Sequence, residues 1–261
     1  TRVRSSAASD VYKRQAAKGL PVPGPVADRQ GQTLQTLNGR PACLIEFAPG
    51  VSITEATPAA AREVGMALGQ LHLAAQDFTA PRANGLGPDS WAPLAARCDG
   101  RLGEIDPELP GLVAAGLAAC ANWPAGLPVC TIHADLFPDN VLMLDGKVTA
   151  LIDFYFACTD LRAYDVAVTH AAWCFSADGR QFFPDRAAAL MQGYAETLGL
   201  DAAERAALPQ LAAGAALRFT LTRAYDWLNT PADALVTRKD PMAFARRLAW
   251  YLAAAPETMG G

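Results

Sequence analysis

The pattern of apolar and polar positions changes character near residue 57, with short two-residue periods before it and helical periods after it. Ahead of that point a turn-rich V-P-G-P-V and a polar turn at 28–31 lead into a short strand over 34–37. A turn at Asn38-Gly39 and a strand over 42–47 follow. From Thr57 the spacing predicts a helix: Thr57 caps it, Pro58 suits the first position, and Val64, Leu68, Leu71 and Ala75 share a face. Gly65 and Gly69 on that helix allow a neighbour to approach closely. A second helix is expected over 107–122 behind an Asp106 cap, then a strand over 129–132 and an apolar hairpin turning at Asp145-Gly146. Residues 155–160 read as a loop and 161–175 as a buried helix. Asp201 with Glu204 forms a capping box, and Pro209 is expected to start or kink the long helix that follows. On it Arg218, Thr222 and Asp226 fall at four-residue intervals with Arg223 alongside, opposite Leu217, Leu221 and Leu228. That polar stripe is either a solvated face or a wall of a site.

Composition narrows the class. A chain of 261 residues, 51% hydrophobic and 18% charged, can bury a full core as one large or two small domains. Its net charge of −4 argues against a nucleic-acid or anionic-membrane surface, which needs clustered Lys and Arg. No apolar run is long enough to span a bilayer, so a cytoplasmic protein is expected. Six scattered cysteines without a C-x-x-C read as reduced, mostly buried apolar residues, and the three histidines lack metal spacing. His72, four residues past Leu68, reads as a hydrogen-bonded core histidine. The polar, basic residues 1–15 lack an apolar period and are expected to be a non-native tail.

The stretch over 131–154, T-I-H-A-D-L-F-P-D-N-V-L-M-L-D-G-K-V-T-A-L-I-D-F, carries the chemistry. His133 and Asp135 stand two apart, Asn140 five further on, and Asp153 closes the hairpin that returns to Asn140. Phosphoryl transfer wants these parts. A carboxylate, Asp135, orients the acceptor hydroxyl and takes its proton, with His133 the other catalytic candidate of the loop. Asn140 and Asp153 supply hard oxygen ligands for Mg²⁺. Singly these residues are also ordinary turn formers; their order, followed by an apolar strand ending in Asp, favours the chemistry.

Through H-A-D-L-F-P-D-N-V and L-I-D-F-Y-F-A-C-T-D-L-R-A-Y-D the sequence resembles the aminoglycoside phosphotransferase branch of the protein-kinase-like fold. A-L-G-Q-L-H-L-A, A-W-C-F and L-T-R-A-Y-D-W-L-N-T-P extend the likeness toward its homoserine kinase group, from about residue 16 onward. The resemblance implies an α+β architecture: a truncated small β lobe over 16–50 with its hinge at 47–50, and a mainly helical catalytic lobe over 51–261. It implies ATP and Mg²⁺ as cofactors, L-homoserine as the substrate, and a place in threonine biosynthesis. The Glu46 carbonyl and Ala48 N–H would meet the adenine edge. Asp165 would hold the catalytic loop's N–H groups, unless it is only a helix-entry carboxylate. An amino-acid substrate needs a cation for its carboxylate, Arg223 first and Arg218 second, with Tyr155 at the pocket wall and Asp226 near the ammonium group. A related kinase of choline or aminoglycosides is the rival within the branch. The sequence shows no Gly-rich loop, and its lysines ahead of the hinge are Lys13 and Lys18, neither in a β-rich run. The upstream part of the small lobe is therefore expected to be missing, and a catalytically inactive fragment is the rival from outside enzymes.

Overall fold

The computed structural model describes residues 19–77, 81–231, 234–235, 237–254 and 259. The tail expected over 1–15 lies outside the described residues. Residues 19–50 form a small β layer. Strands β1 (Gln35–Leu37) and β2 (Arg40–Ala42) pair antiparallel around Asn38 and Gly39, both at positive φ. The regular strand expected over 42–47 stops at Ala42; beyond it the chain is extended and bridges Ile45 to Pro25. Pro25 has no N–H to extend a ladder, which limits the pairing to two hydrogen bonds, Val26 N–H to Leu44 carbonyl and Glu46 N–H to Gly24 carbonyl. Leu37, Leu44 and Phe47 stand exposed on this layer.

Helix α1 (Pro58–Ala75) starts as its sequence predicts, the Thr57 hydroxyl accepting from the Ala60 N–H at 3.1 Å. It lies against α5 (Pro184–Thr197) so closely that a Cβ on Gly65 would sit 2.1 Å from the Leu190 carbonyl oxygen, and one on Gly193 2.0 Å from that of Arg62. The short helix α2 (Trp91–Ala96) follows, then α3 (Leu109–Ala119). Asp106 accepts the Glu108 N–H at 2.9 Å, closing a turn ahead of α3, which begins two residues later than expected.

Three strand pairs are short, and the second and third carry the site. β3 (Val129–Ile132) pairs with β6 (Cys158–Leu161), while β4 (Val141–Leu144) and β5 (Lys147–Leu151) form the hairpin around Asp145 and Gly146. The segment read as a loop over 155–160 therefore contains a helical turn at Phe154–Phe156 and then a strand. Its four residues lack a two-residue alternation, and only β3 as partner makes them a strand. β6 runs directly into α4 (Arg162–Trp173).

Helix α6 (Ala202–Asn229) spans 28 residues through the centre of the helical part. Its capping box forms as written, with Asp201 and Glu204 exchanging hydrogen bonds at 2.8 and 2.9 Å. Pro209 neither starts nor ends it; the helix begins seven residues earlier and continues past it. The fully buried Glu204 also receives both arms of Arg162 at 2.6 Å, which ties the first turn to α4. Helix α7 (Met242–Ala253) packs on α6 and completes the core. All six cysteines are free thiols, five of them buried, and no described helix is long and apolar enough to cross a membrane.

Candidate active site

β3 delivers the chain into a sharp loop whose geometry is set at Ala134. This alanine adopts a left-handed backbone (φ 63°), a conformation costing a residue with a Cβ about 1–2 kcal/mol. Buried charges grip it from both sides. Its N–H donates to Asp165 Oδ1 at 2.7 Å, while Arg218 Nη1 donates to its carbonyl. Asp165, fully buried in the first turn of α4, also accepts the His133 N–H at 2.7 Å. Behind it His72 Nε2 lies 3.0 Å away, with His72 Nδ1 2.9 Å from the Tyr194 hydroxyl. Burial pushes the Asp165 carboxyl up, but the His72 hydrogen bond and charge, joined by the loop N–H groups, bring it below its ordinary 3.8. The strained peptide unit is held because its neighbours over-determine it.

The next residue is Asp135. Burial pushes its carboxyl above the usual range, and Asp153 adds to the rise against the pull of Arg218 and Lys239. Asn140 Nδ2 donates to the Asp135 carbonyl at 2.8 Å, which turns its Oδ1 away from that bond. Asp153, past the end of β5, also has a left-handed backbone (φ 62°). Asp135, Asn140 and Asp153 line one cleft of about 240 Å³ with Arg223, Asp226 and Lys239. No group of three His, Cys, Asp or Glu that could hold a metal occurs among the described residues. An amide oxygen and a carboxylate on one cleft instead suit a hard cation that takes its remaining oxygens from phosphates and water.

Several predicted site residues take other positions. His133 is fully buried; its Nε2 donates to the Ile152 carbonyl at 2.9 Å and its Nδ1 accepts the Asp135 N–H at 3.3 Å. Both ring nitrogens are engaged within the loop, one with the Ile152 carbonyl and one with the Asp135 N–H, so the ring faces the loop backbone. Arg218 is 2% exposed, committed to Ala134 and stacked 4.4 Å from the Phe219 ring centroid. Its guanidinium braces the loop from within, while Arg223 and Lys239 are the other cations lining the cleft. Tyr155 borders a smaller cavity of about 130 Å³ beside Arg82 and Asn84, outside the cleft. Glu46 uses its N–H and its side chain to hold Gly24, while its carbonyl and the Ala48 N–H carry no hydrogen bond among the described residues. Reading by residue spacing missed Lys239 and Asp139, which meet at 3.6 Å on the cleft wall. Asp139 sits inside the motif and was visible; Lys239, a hundred residues on, had no local signal.

A carboxylate poised beside an amide and a second carboxylate, on a helical lobe under a small β layer, defines a phosphotransferase of protein-kinase-like architecture. Solved structures share that fold: an amicoumacin kinase in complex with AMP-PNP, Ca²⁺ and Ami (TM-score 0.71, 15% identity, 97% of this chain and 78% of that one). A spectinomycin phosphotransferase in complex with ADP and spectinomycin gives a TM-score of 0.69 at 12% identity over 96% of this chain and 82% of its own. The family model described as "Phosphotransferase enzyme family" matches residues 2–201. A homoserine kinase of Xanthobacter autotrophicus is 51% identical over 239 residues, covering 91% of this chain and 74% of the relative. One of Gluconacetobacter diazotrophicus is 55% identical over 244 residues, covering 90% and 74%. The chain belongs to the phosphotransferase enzyme family, and within it to the homoserine kinase group.

Proposed function

We propose that this protein transfers the γ-phosphoryl group of ATP to the side-chain hydroxyl of L-homoserine, a step of threonine biosynthesis in the cytoplasm. The observation that carries the reading is the likeness, at 51–55% identity over nine-tenths of the chain, to proteins named as homoserine kinases. The cleft supplies the parts. Asp135, its proton affinity raised by burial, accepts the hydroxyl proton as transfer proceeds. The Ala134 clamp and His133 fix where its carboxylate stands, so little reorganisation is needed when the acceptor arrives. Asn140 and Asp153 would hold Mg²⁺, which neutralises charge on the transferring phosphate. The Glu46 carbonyl and Ala48 N–H, at the junction of the β layer with the catalytic part near residue 50, would take the adenine edge. Arg223 faces the acceptor's carboxylate, and Asp226, exposed on the same cleft, faces its ammonium group.

ADP release by the protein tests this with L-homoserine, choline and an aminoglycoside as competing acceptors. L-Homoserine should show the highest kcat/KM. Arg223→Ala should raise its KM by about 10–100-fold, the loss of one charge-assisted pair, with the KM for ATP little changed. A better rate with choline or the aminoglycoside overturns the substrate assignment.

A further inference from the structure

A second cavity, of about 490 Å³, shares Phe137 and Arg223 with the cleft and is twice its size. Its charge is one-sided. Arg186, Arg223 and Arg247 line it against a single carboxylate, that of the exposed Glu55. Arg247 is 4% exposed; its Nη2 donates to the Ser176 carbonyl at 2.9 Å and reaches that of Ala177 at 3.4 Å, and its Nε has no hydrogen-bond partner. Arg223 and Arg247 rest against the same Phe244 ring, 4.5 and 4.2 Å from its centroid. Burial, and after it the neighbouring Arg223 charge, lowers the Arg247 pKa to about 10. Arg186 stacks on Phe183, 3.8 Å from the ring centroid. Trp173 and Phe175 complete an apolar wall.

Arg247 is held almost wholly out of water beside the Arg223 charge, which is costly, and a bound anion removes part of that cost. Planar guanidiniums fit a carboxylate two-pronged, while the aromatic wall offers nothing to a bare inorganic ion and much to an apolar body. We propose that this cavity binds a small organic carboxylate with an aromatic or aliphatic body, its carboxylate held by Arg186 and Arg247 and its body against Trp173 and Phe175. The site adjoins the acceptor cleft through Phe137 and Arg223, but its anchors Arg186 and Arg247 lie outside that cleft, so the proposal does not depend on which acceptor the cleft takes.

A ¹⁹F NMR titration of the 261-residue chain with 4-fluorobenzoate tests it, using 4-fluorobenzyl alcohol as the uncharged match and inorganic phosphate as the bare anion. Saturable binding of the benzoate is expected, absent for the alcohol and undisturbed by equimolar phosphate. Arg247→Gln and Arg186→Gln should each weaken it at least about 10-fold, the loss of one charge-assisted contact. Should Arg247→Gln fail to fold, Arg186→Gln carries the test, because Arg186 lies outside both the core and the catalytic cleft. Four results overturn the proposal: no saturable binding to the solubility limit, equal binding of the alcohol, displacement by equimolar phosphate, or an affinity unchanged in Arg186→Gln.

Discussion

Asp165→Asn keeps the shape of the side chain and removes its charge, and its contacts allow the cost to be worked out. The carboxylate accepts two backbone N–H groups at 2.7 Å and faces His72 Nε2 at 3.0 Å, with no exposure to water. An amide has one acceptor oxygen, so either the His133 or the Ala134 N–H must face an NH₂ group, and the remaining bonds lose their charge assistance. Removing one charged member of a buried cluster in this way costs about 3–5 kcal/mol, because the ionic partner is left uncompensated. That is a large share of a total stability of about 5–15 kcal/mol. Urea unfolding followed by tryptophan fluorescence reads it directly, since Trp173 Nε1 donates to the Leu136 carbonyl in the same loop at 2.9 Å. The sign with pH follows from the lowered carboxyl pKa. The stabilisation is fully present above the ordinary value of 3.8 and is lost as pH falls through the folded value, so the gap between wild type and variant should close on acidification below about 4. Turnover of the folded variant should fall by at least about 10²-fold, because Ala134 is then gripped from one side and Asp135 drifts. A loss under about 1 kcal/mol, or a gap that persists into acid, would refute the clamp.

Three further outcomes are expected. Asp135→Asn should cut turnover by at least about 10²-fold with little change in nucleotide affinity. It should also raise the urea midpoint at pH 7: a folded pKa above the unfolded one means stability lost as pH rises through it, and the neutral amide avoids that loss. A variant no more stable than wild type, or one that turns over within a few fold of it, contradicts the base assignment. Asp153→Ala should raise the Mg²⁺ concentration needed for half-maximal rate and cripple transfer, and an unchanged Mg²⁺ titration would sink that ligand. Gly193→Ala places a Cβ 2.0 Å from the Arg62 carbonyl oxygen and should destabilise by about 1–3 kcal/mol or more by forcing α1 and α5 apart; a thermal melt matching wild type would mean that the helices can separate without cost.

Features written within a few residues of one another were legible in the sequence. The Thr57 cap, the Asp201–Glu204 box and the Asn38-Gly39 and Asp145-Gly146 turns depend on side chains bonding, or backbones bending, inside a single turn. So was the grouping of Asp135, Asn140 and Asp153, because one loop and one hairpin bring them to one cleft. Tertiary structure alone decided the rest. Residues 158–161 become a strand through β3, residues 43–47 stay irregular because Pro25 faces them, and Pro209 is carried inside a helix pinned by Arg162 and Glu204. The polar stripe on α6 reads the same whether it meets water, a catalytic loop or a cleft. Packing sent Arg218 inward to Ala134, and it set Arg223 between two cavities beside Arg247, which lies 24 residues further along the chain. Periodicity records which face of an element is apolar; what a polar side chain touches depends on the elements that pack against it, and those come from distant parts of the chain.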